Sequence, residues 1–412
     1  MEDYPRQPRK NSMAENTIWR LFMKRPFIKM LFLCLLFSCR KPYNPPAISS
    51  PGNYLVVEGV INSGTDTTVI KLSRTVNLSS NSVINPVTGA TVLVQSNQNT
   101  SYPLVESKPG TYTCPGLNLN NSYQYRLSIS TGNEQYQSDY VPVLNSPPID
   151  SVGFTIASNG LNIYSNTHDP ANAINYYRWD YQETWIYRPT YSSAYISNGD
   201  TVLIRTPAQQ VEECWPNDTS STIILNSSAR LSKAVIVDNP ITFIASTSQK
   251  LGDEYSILVH QYALTPDAYT FWQILKTNSE NLGSIFDAQP SEIPGNIHSV
   301  TNPKEPVLGY ISVGSVVSKR IFIHNQQLPA WLPTPIYSCQ LDTFYYAAHV
   351  GDQIINQVNE FINYNKGAVS GAYIPIDAIT IHEGPILGFT ASTPDCTECT
   401  ILGPNVEPSF WK

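Results

Sequence analysis

From residue 54 onward, alternation of apolar and polar residues dominates the chain. Tyr54–Ile61 and Thr68–Arg74 read as two strands, and Asn62-Ser63-Gly64-Thr65-Asp66 between them supplies the residues of a hairpin turn. Asn85–Val94 repeats the pattern, and Pro109-Gly110-Thr111-Tyr112 leads to a further strand at Tyr123–Ile129. Successive strand side chains point to opposite faces, so this period predicts a small sandwich with one buried face per sheet. Pro147-Pro148-Ile149-Asp150 marks a boundary, after which Val152–Ile156 and Tyr176–Tyr181 open a second β-rich region. One segment changes period. Thr265 as cap, Pro266 in the first turn, and Ala268, Trp272, Leu275 and Leu282 at helical spacing predict a helix near 265–282, ended by Gly283 and packed on a sheet. Gly351–Tyr364 predicts a second, less regular helix. The expected fold is therefore mainly β: an N-terminal β-sandwich over 54–146, then a larger β-rich domain over 147–412 with one or two short helices.

Ahead of this body the pattern is different. Lys24, Arg25 and Lys29 precede the apolar run Met30–Cys39. A bilayer-spanning helix needs about 20 apolar residues, so a basic stretch followed by so short a run predicts a secretory signal. Its ending, Leu36-Phe37-Ser38-Cys39, resembles a lipobox, in which a small residue precedes a cysteine that is acylated before cleavage. The signal region is expected to be 1–38, with 1–22 upstream of a true start at Met23 and the signal peptide at 23–38. Lipidated Cys39 and a Pro-rich extended tether would then occupy 39–53.

Charge changes with that cleavage. Residues 1–38 hold seven Lys or Arg and three acidic residues, so their removal takes the net charge from −7 to −11. So acidic a body, with no basic cluster beyond Arg40-Lys41, argues against nucleic acid and against anionic headgroups as partners. Membrane attachment is expected through the acyl chains on Cys39.

Cys114, Cys214, Cys339, Cys396 and Cys399 follow the anchor. In an oxidising compartment they favour disulfides, and an odd number leaves one thiol over. Cys396-Thr397-Glu398-Cys399 has the spacing of redox and zinc sites. It lies, however, in a Pro- and Gly-rich tail rather than at a strand-to-helix turn, and no second ligand pair accompanies it. A structural disulfide is expected instead, within the pair or from it to Cys339 or Cys214. His168, His260, His298, His324, His349 and His382 form no His-Glu-x-x-His helix, and neither Gly-x-Ser-x-Gly nor a glycine-rich phosphate loop occurs. Catalysis, a metal and a cofactor are not expected. Tyr176, Tyr177, Trp179 and Trp185 are read as packing residues of the sheet.

The phrase Pro86-Val87-Thr88-Gly89-Ala90-Thr91-Val92 resembles Ig-like or transthyretin-like sandwiches, which implies that kind of sandwich over 54–146. Several phrases together resemble one family. They are Leu55-Val56-Val57-Glu58-Gly59 with Leu72-Ser73-Arg74-Thr75, Glu213-Cys214-Trp215, Tyr255–Val259 before the Phe271-Trp272 helix, Gly283–Asp287, Gly295–His298, Cys396–Cys399, and the ending Pro408–Trp411. This succession is similar to the Bacteroidota lipoproteins catalogued as domain of unknown function 4249. Leu341–Gly371 falls outside the shared pattern and is read as an insertion. The resemblance implies a lipid-anchored place at the outer membrane and a TonB-dependent receptor as partner; it carries no catalytic motif. The expected role is a non-catalytic accessory subunit of such a transporter, in ligand capture or gating. The alternative is a free-standing surface adhesin or glycan-binding lipoprotein, and the periplasmic and cell-surface faces of the membrane both stay open.

Overall fold

The computed structural model describes residues 53–76, 84–280, 295–363, 373–382 and 384–411. The expected signal, Cys39, the tether up to Gly52, the helix end at Leu282 and Gly283, and residues 364–371 of the expected insertion lie outside them.

β1 (Leu55–Asn62) and β2 (Thr68–Arg74) form the expected hairpin, with Val57 opposite Leu72 and Gly59 opposite Ile70. There follow the short β3 (Asn85–Pro86), β4 (Thr91–Ser96), β5 (Ser101–Lys108), β6 (Thr111–Cys114), β7 (Gln124–Thr131), β8 (Glu134–Ser138) and β9 (Val141–Pro142). β5 serves two layers, because Ser101–Leu104 pairs with β4 while Val105–Lys108 pairs with β6. Passing one strand from sheet to sheet brings the two layers face to face. Leu55, Val57, Ile70, Leu72, Val92, Val94, Tyr112, Leu127 and Ile129, the inward half of each alternation, meet there in one core with no more than 2 % exposure.

The second sandwich opens with β10 (Ile149–Ala157), β11 (Gly160–His168) and β12 (Tyr176–Trp185). An excursion carries the hairpin β13 (Tyr195–Ser197) and β14 (Val202–Ile204) before β15 (Asn217–Thr219), β16 (Ile224–Ser227), β17 (Val235–Ala245) and β18 (Glu254–Ala263). One layer is β10-β11-β17 and the other is built on β12, which pairs with β15, β16 and β18. Ile163, Tyr177, Trp179, Tyr255, Ile257 and Val259 fill the space between them. The chain is thus mainly β, with a β-sandwich followed by a larger β-rich part.

After β18 comes helix α1 (Pro266–Glu280), begun as expected by Thr265, whose Oγ1 accepts the Ala268 N–H at 3.1 Å. Ala268 and Phe271 are its buried positions, facing β12 and β16. The chain then returns to the first sandwich. β19 (Ile297–Ser299) pairs antiparallel with β8, and β20 (Ser312–Gly314) pairs parallel with β1. One segment thereby covers the outermost strand at either end of the first sandwich, a protection that exposed sheet edges require. Ile297, Val307, Ile311 and Val313 enter that core. The expected division at 146/147 is therefore corrected: residues 295–314 belong with the first sandwich. Strands three residues long, one of them parallel and more than two hundred residues from its partner, leave no local pattern to read.

β21 (Val316–His324) completes the second sandwich beside β18. Beyond it, β22 (Asp342–Tyr345), β23 (Ala348–Val350), β24 (Gln353–Ile355), β25 (Ile374–Thr380) and β26 (Ile386–Ser392) form a small module in the order β22-β26-β25, with β23-β24 as a separate hairpin. Phe344, Val358, Ile362, Phe389 and Ala391 form its core, with Tyr195 and Val202 from the β13–β14 excursion packed against them. The predicted helix over 351–364 is also corrected. Gly351, at φ +61°, turns β23 into β24, and only Val358–Ile362 coils, as a π-helix. A left-handed glycine and the β-branched pair Ile354-Ile355 favour the hairpin.

Candidate binding face

The layer β12-β18-β21 buries one face and shows the other. Alternation sends Tyr177, Trp179, Tyr255, Ile257, Val259 and Gln261 inward. The register then sets outward residues in rows across the three strands. Arg178 lies opposite Tyr262; Asp180, His260 and Ser318 form the next row; Gln182, Leu258 and Arg320 form the third; and Thr184, Ser256 and Phe322 form the fourth, in which Thr184 and Ser256 are buried.

Aromatic side chains wall both ends of this face. At one end α1 supplies Trp272, and the Arg178 guanidinium lies 4.5 Å from its ring centre and 4.1 Å from that of Tyr262. Arg178 also pairs with Asp180 at 3.3 Å. At the other end the C-terminal tail folds back. The Trp411 indole N–H donates to Glu254 at 3.1 Å, its ring meets Phe322 edge-on at 5.4 Å, and Phe410 lies under the Arg320 guanidinium at 3.6 Å. The middle rows form a mostly polar strip between these ends. In it the His260 Nδ1 and Ser318 Oγ share a hydrogen bond of 2.6 Å.

Burial pushes the His260 imidazole below its usual range, Asp180 works against that shift, and Arg320 and Arg178 add to it. Burial likewise lowers the Arg320 guanidinium and raises the Tyr262 phenol. Although Asp180, His260 and Ser318 are the residue types of a hydrolytic triad, their arrangement differs. The serine meets Nδ1, and the carboxylate is engaged by Arg178, so the row displays hydrogen-bonding groups rather than an activated nucleophile. Where the two sandwiches meet, Arg178, Tyr262, Trp272, Tyr310 and Ser315 line a cavity of about 10 Å³, room for a single water. A second cavity, of about 140 Å³, lies between Leu251, Asn325, Pro329 and Trp331.

Of the residues singled out in the sequence, Cys39 lies outside the described chain. Cys214 bonds Cys399 and Cys339 bonds Cys396, with Cα separations of 5.5 and 5.6 Å, so each cysteine of the Cys396–Cys399 motif reaches a distant partner. Cys114 is a free thiol. The histidines stay apart: His168 meets Asp150 at 2.8 Å, His298 meets Asp139 and His324 meets Glu254, each at 3.4 Å. No cluster of three or more metal-ligating side chains occurs among the described residues. Trp179 is fully buried, and Trp185 packs against the same core. Neither the His260–Ser318 pair nor Arg320 was singled out from the sequence. Their signal was the polar half of the alternation in 254–263 and 316–324, which becomes a site only once register sets it in rows.

The family model described as domain of unknown function (DUF4249) matches residues 40–320. This chain is a DUF4249 protein. The match takes in both sandwiches up to Arg320, inside β21, so the C-terminal module, the Cys396–Cys399 motif and the Phe410–Trp411 tail lie beyond it. No curated protein matches this DUF4249 chain. Among solved structures, a two-domain fibronectin type III segment of chicken tenascin is similar at 13 % identity over 52 % of this chain and 91 % of that one; its TM-score of 0.15 carries no weight.

Proposed function

We propose that this DUF4249 protein is a non-catalytic, lipid-anchored accessory subunit of a TonB-dependent outer-membrane transporter, serving in ligand capture or gating. The observation that carries the reading is the outer face of β12-β18-β21, a strip of hydrogen-bonding side chains between aromatic ends on a layer braced by a well-packed core. The basic-apolar run ending at Cys39 supports the anchor, and the Pro-rich stretch behind it suits a tether from the membrane to the first sandwich. Brief crosslinking in intact cells, followed by purification through a C-terminal tag, tests the docking. Recovery of a large β-barrel joined to the chain is expected, and recovery of the chain uncrosslinked under conditions that trap known barrel partners would overturn it. Cys39→Ser should abolish incorporation of a clickable palmitate analogue and release the protein from the membrane fraction.

A second reading, a free-standing glycan-binding or adhesive lipoprotein, draws support from Trp272 and Phe410 flanking the polar rows, since aromatic faces suit sugar rings. It predicts binding on a glycan array by the purified chain, without any transporter.

A further inference from the structure

We propose that the polar strip on the outer face of β12-β18-β21 binds the carboxylate group of a small-molecule ligand, held by the guanidinium of Arg320. Four of the seven arginines among the described residues are matched to acids: Arg74 to Glu134 and Glu305, Arg178 to Asp180, Arg188 to Glu213 and Asp253, and Arg205 to Glu398; of the other three, Arg126 donates to Gln95 and lies over the Tyr140 ring, and Arg230 is exposed. Arg320, half-buried on the outer face, has no carboxylate partner among the described residues. Its geometry is set before any ligand arrives. Nη1 donates to the buried Ser256 hydroxyl at 2.9 Å, and the guanidinium carbon lies 3.6 Å from the centre of the Phe410 ring. The remaining N–H groups of the fork have no acceptor among the described residues, and a rigid fork of this kind matches the two oxygens of a carboxylate.

The surroundings favour a single negative charge. Asp180 is engaged by Arg178 and leaves the Arg320 charge unanswered. Ser318 stands two residues from Arg320 on the same face and links to His260, while Leu258, opposite Arg320, offers an apolar patch for the body of a ligand. One uncompensated guanidinium suits a carboxylate better than a phosphate near two negative charges. Burial lowers the Arg320 pKa, in keeping with the lack of an acidic partner. The ring that holds the guanidinium in place, Phe410, comes from beyond the family match, so the site is completed by the C-terminal tail. The inference stands independently of transporter docking, because its test uses the purified chain alone.

Calorimetry and ligand-observed saturation-transfer NMR on the full chain in mild detergent, with D-galacturonate, succinate, D-galactose and inorganic phosphate as probes, decide it. Both acids should bind, with galactose and phosphate at least about tenfold weaker, the scale of one charge-assisted pair. Arg320→Gln should weaken both acids by at least about tenfold with an unchanged circular dichroism melt, and Arg320→Lys, which keeps the charge but not the fork, should fall between. Failure of both acids to bind at millimolar concentration, equal binding of galactose, tighter binding of phosphate, or full affinity in a folded Arg320→Gln protein would each overturn the proposal. If Arg320→Gln does not fold, Arg320→Lys carries the test: weakened acid binding supports the site and unchanged binding refutes it.

Discussion

Gln261 is fully buried in the second sandwich, where a carboxamide survives only with its hydrogen bonds made. Its Oε1 accepts the Trp179 indole N–H at 3.1 Å, and its Nε2 donates to Pro147 O at 2.8 Å and lies near the hydroxyls of Thr167 and Ser146. One side chain thus ties the segment joining the sandwiches to the second core. Gln261→Leu strands the indole and the Pro147 carbonyl, and the unfolding free energy should fall by about 2–4 kcal/mol in urea titration. Residue-level reading recovered Trp179 but not Gln261, because alternation alone assigns an inward position without revealing which buried atoms answer a polar group there. His260 gives a pH signature. Its imidazole, pushed below the usual 6.5 by burial, is protonated more readily in the unfolded chain. Stability is therefore full above about 6.5 and is lost as pH falls from there toward the lower folded value. His260→Gln should flatten the decline of the urea midpoint across that interval, and a decline identical to wild type would remove His260 as its source.

Among the elements, the return segment 295–314 depends on local backbone freedom. Gly309 has φ of +138°, and a Cβ there would run into the Val57 carbonyl of β1. Across the segment, Asn296 accepts the Ile311 N–H at 2.8 Å and donates to the Ile311 carbonyl at 2.9 Å, holding its two arms together. Gly309→Ala should detach the segment from the sheet edges, seen as faster hydrogen exchange in β1 and β8 and earlier proteolysis after residue 295. The β1–β2 hairpin and the start of α1 were legible because turn residues and a cap act within a few positions of the pattern they end. The segment 295–314 was not, since both of its pairings are set by tertiary closure. Residues 351–355 misled for the opposite reason: short apolar runs fit helix and strand alike, and a glycine in a left-handed turn decided between them.

At the scale of the whole molecule, two buried cysteines separated by one turn staple the C-terminal module to two distant points. Cys399 closes a span of 185 residues to Cys214, and Cys396 one of 57 to Cys339. Peptide mapping without reduction should recover those two crosslinks and a free Cys114; a Cys396–Cys399 loop would contradict the arrangement. Cys399→Ser should lower stability by about 2–4 kcal/mol and loosen the tail that seats Phe410. The sequence marked these four cysteines as disulfide candidates while leaving their partners open, because connectivity is a property of the folded chain. The mainly β architecture was readable from period and turn chemistry, whereas the polar strip with its aromatic ends needs three strands, a helix and residues 410–411 brought together. The central claim, that the protein acts as a subunit of an outer-membrane transporter, is tested most directly by native mass measurement of the tagged protein extracted from its own membranes in mild detergent. The account predicts a stoichiometric complex with one TonB-dependent barrel; a species with the mass of the acylated chain alone, in a detergent that preserves known complexes, would contradict it.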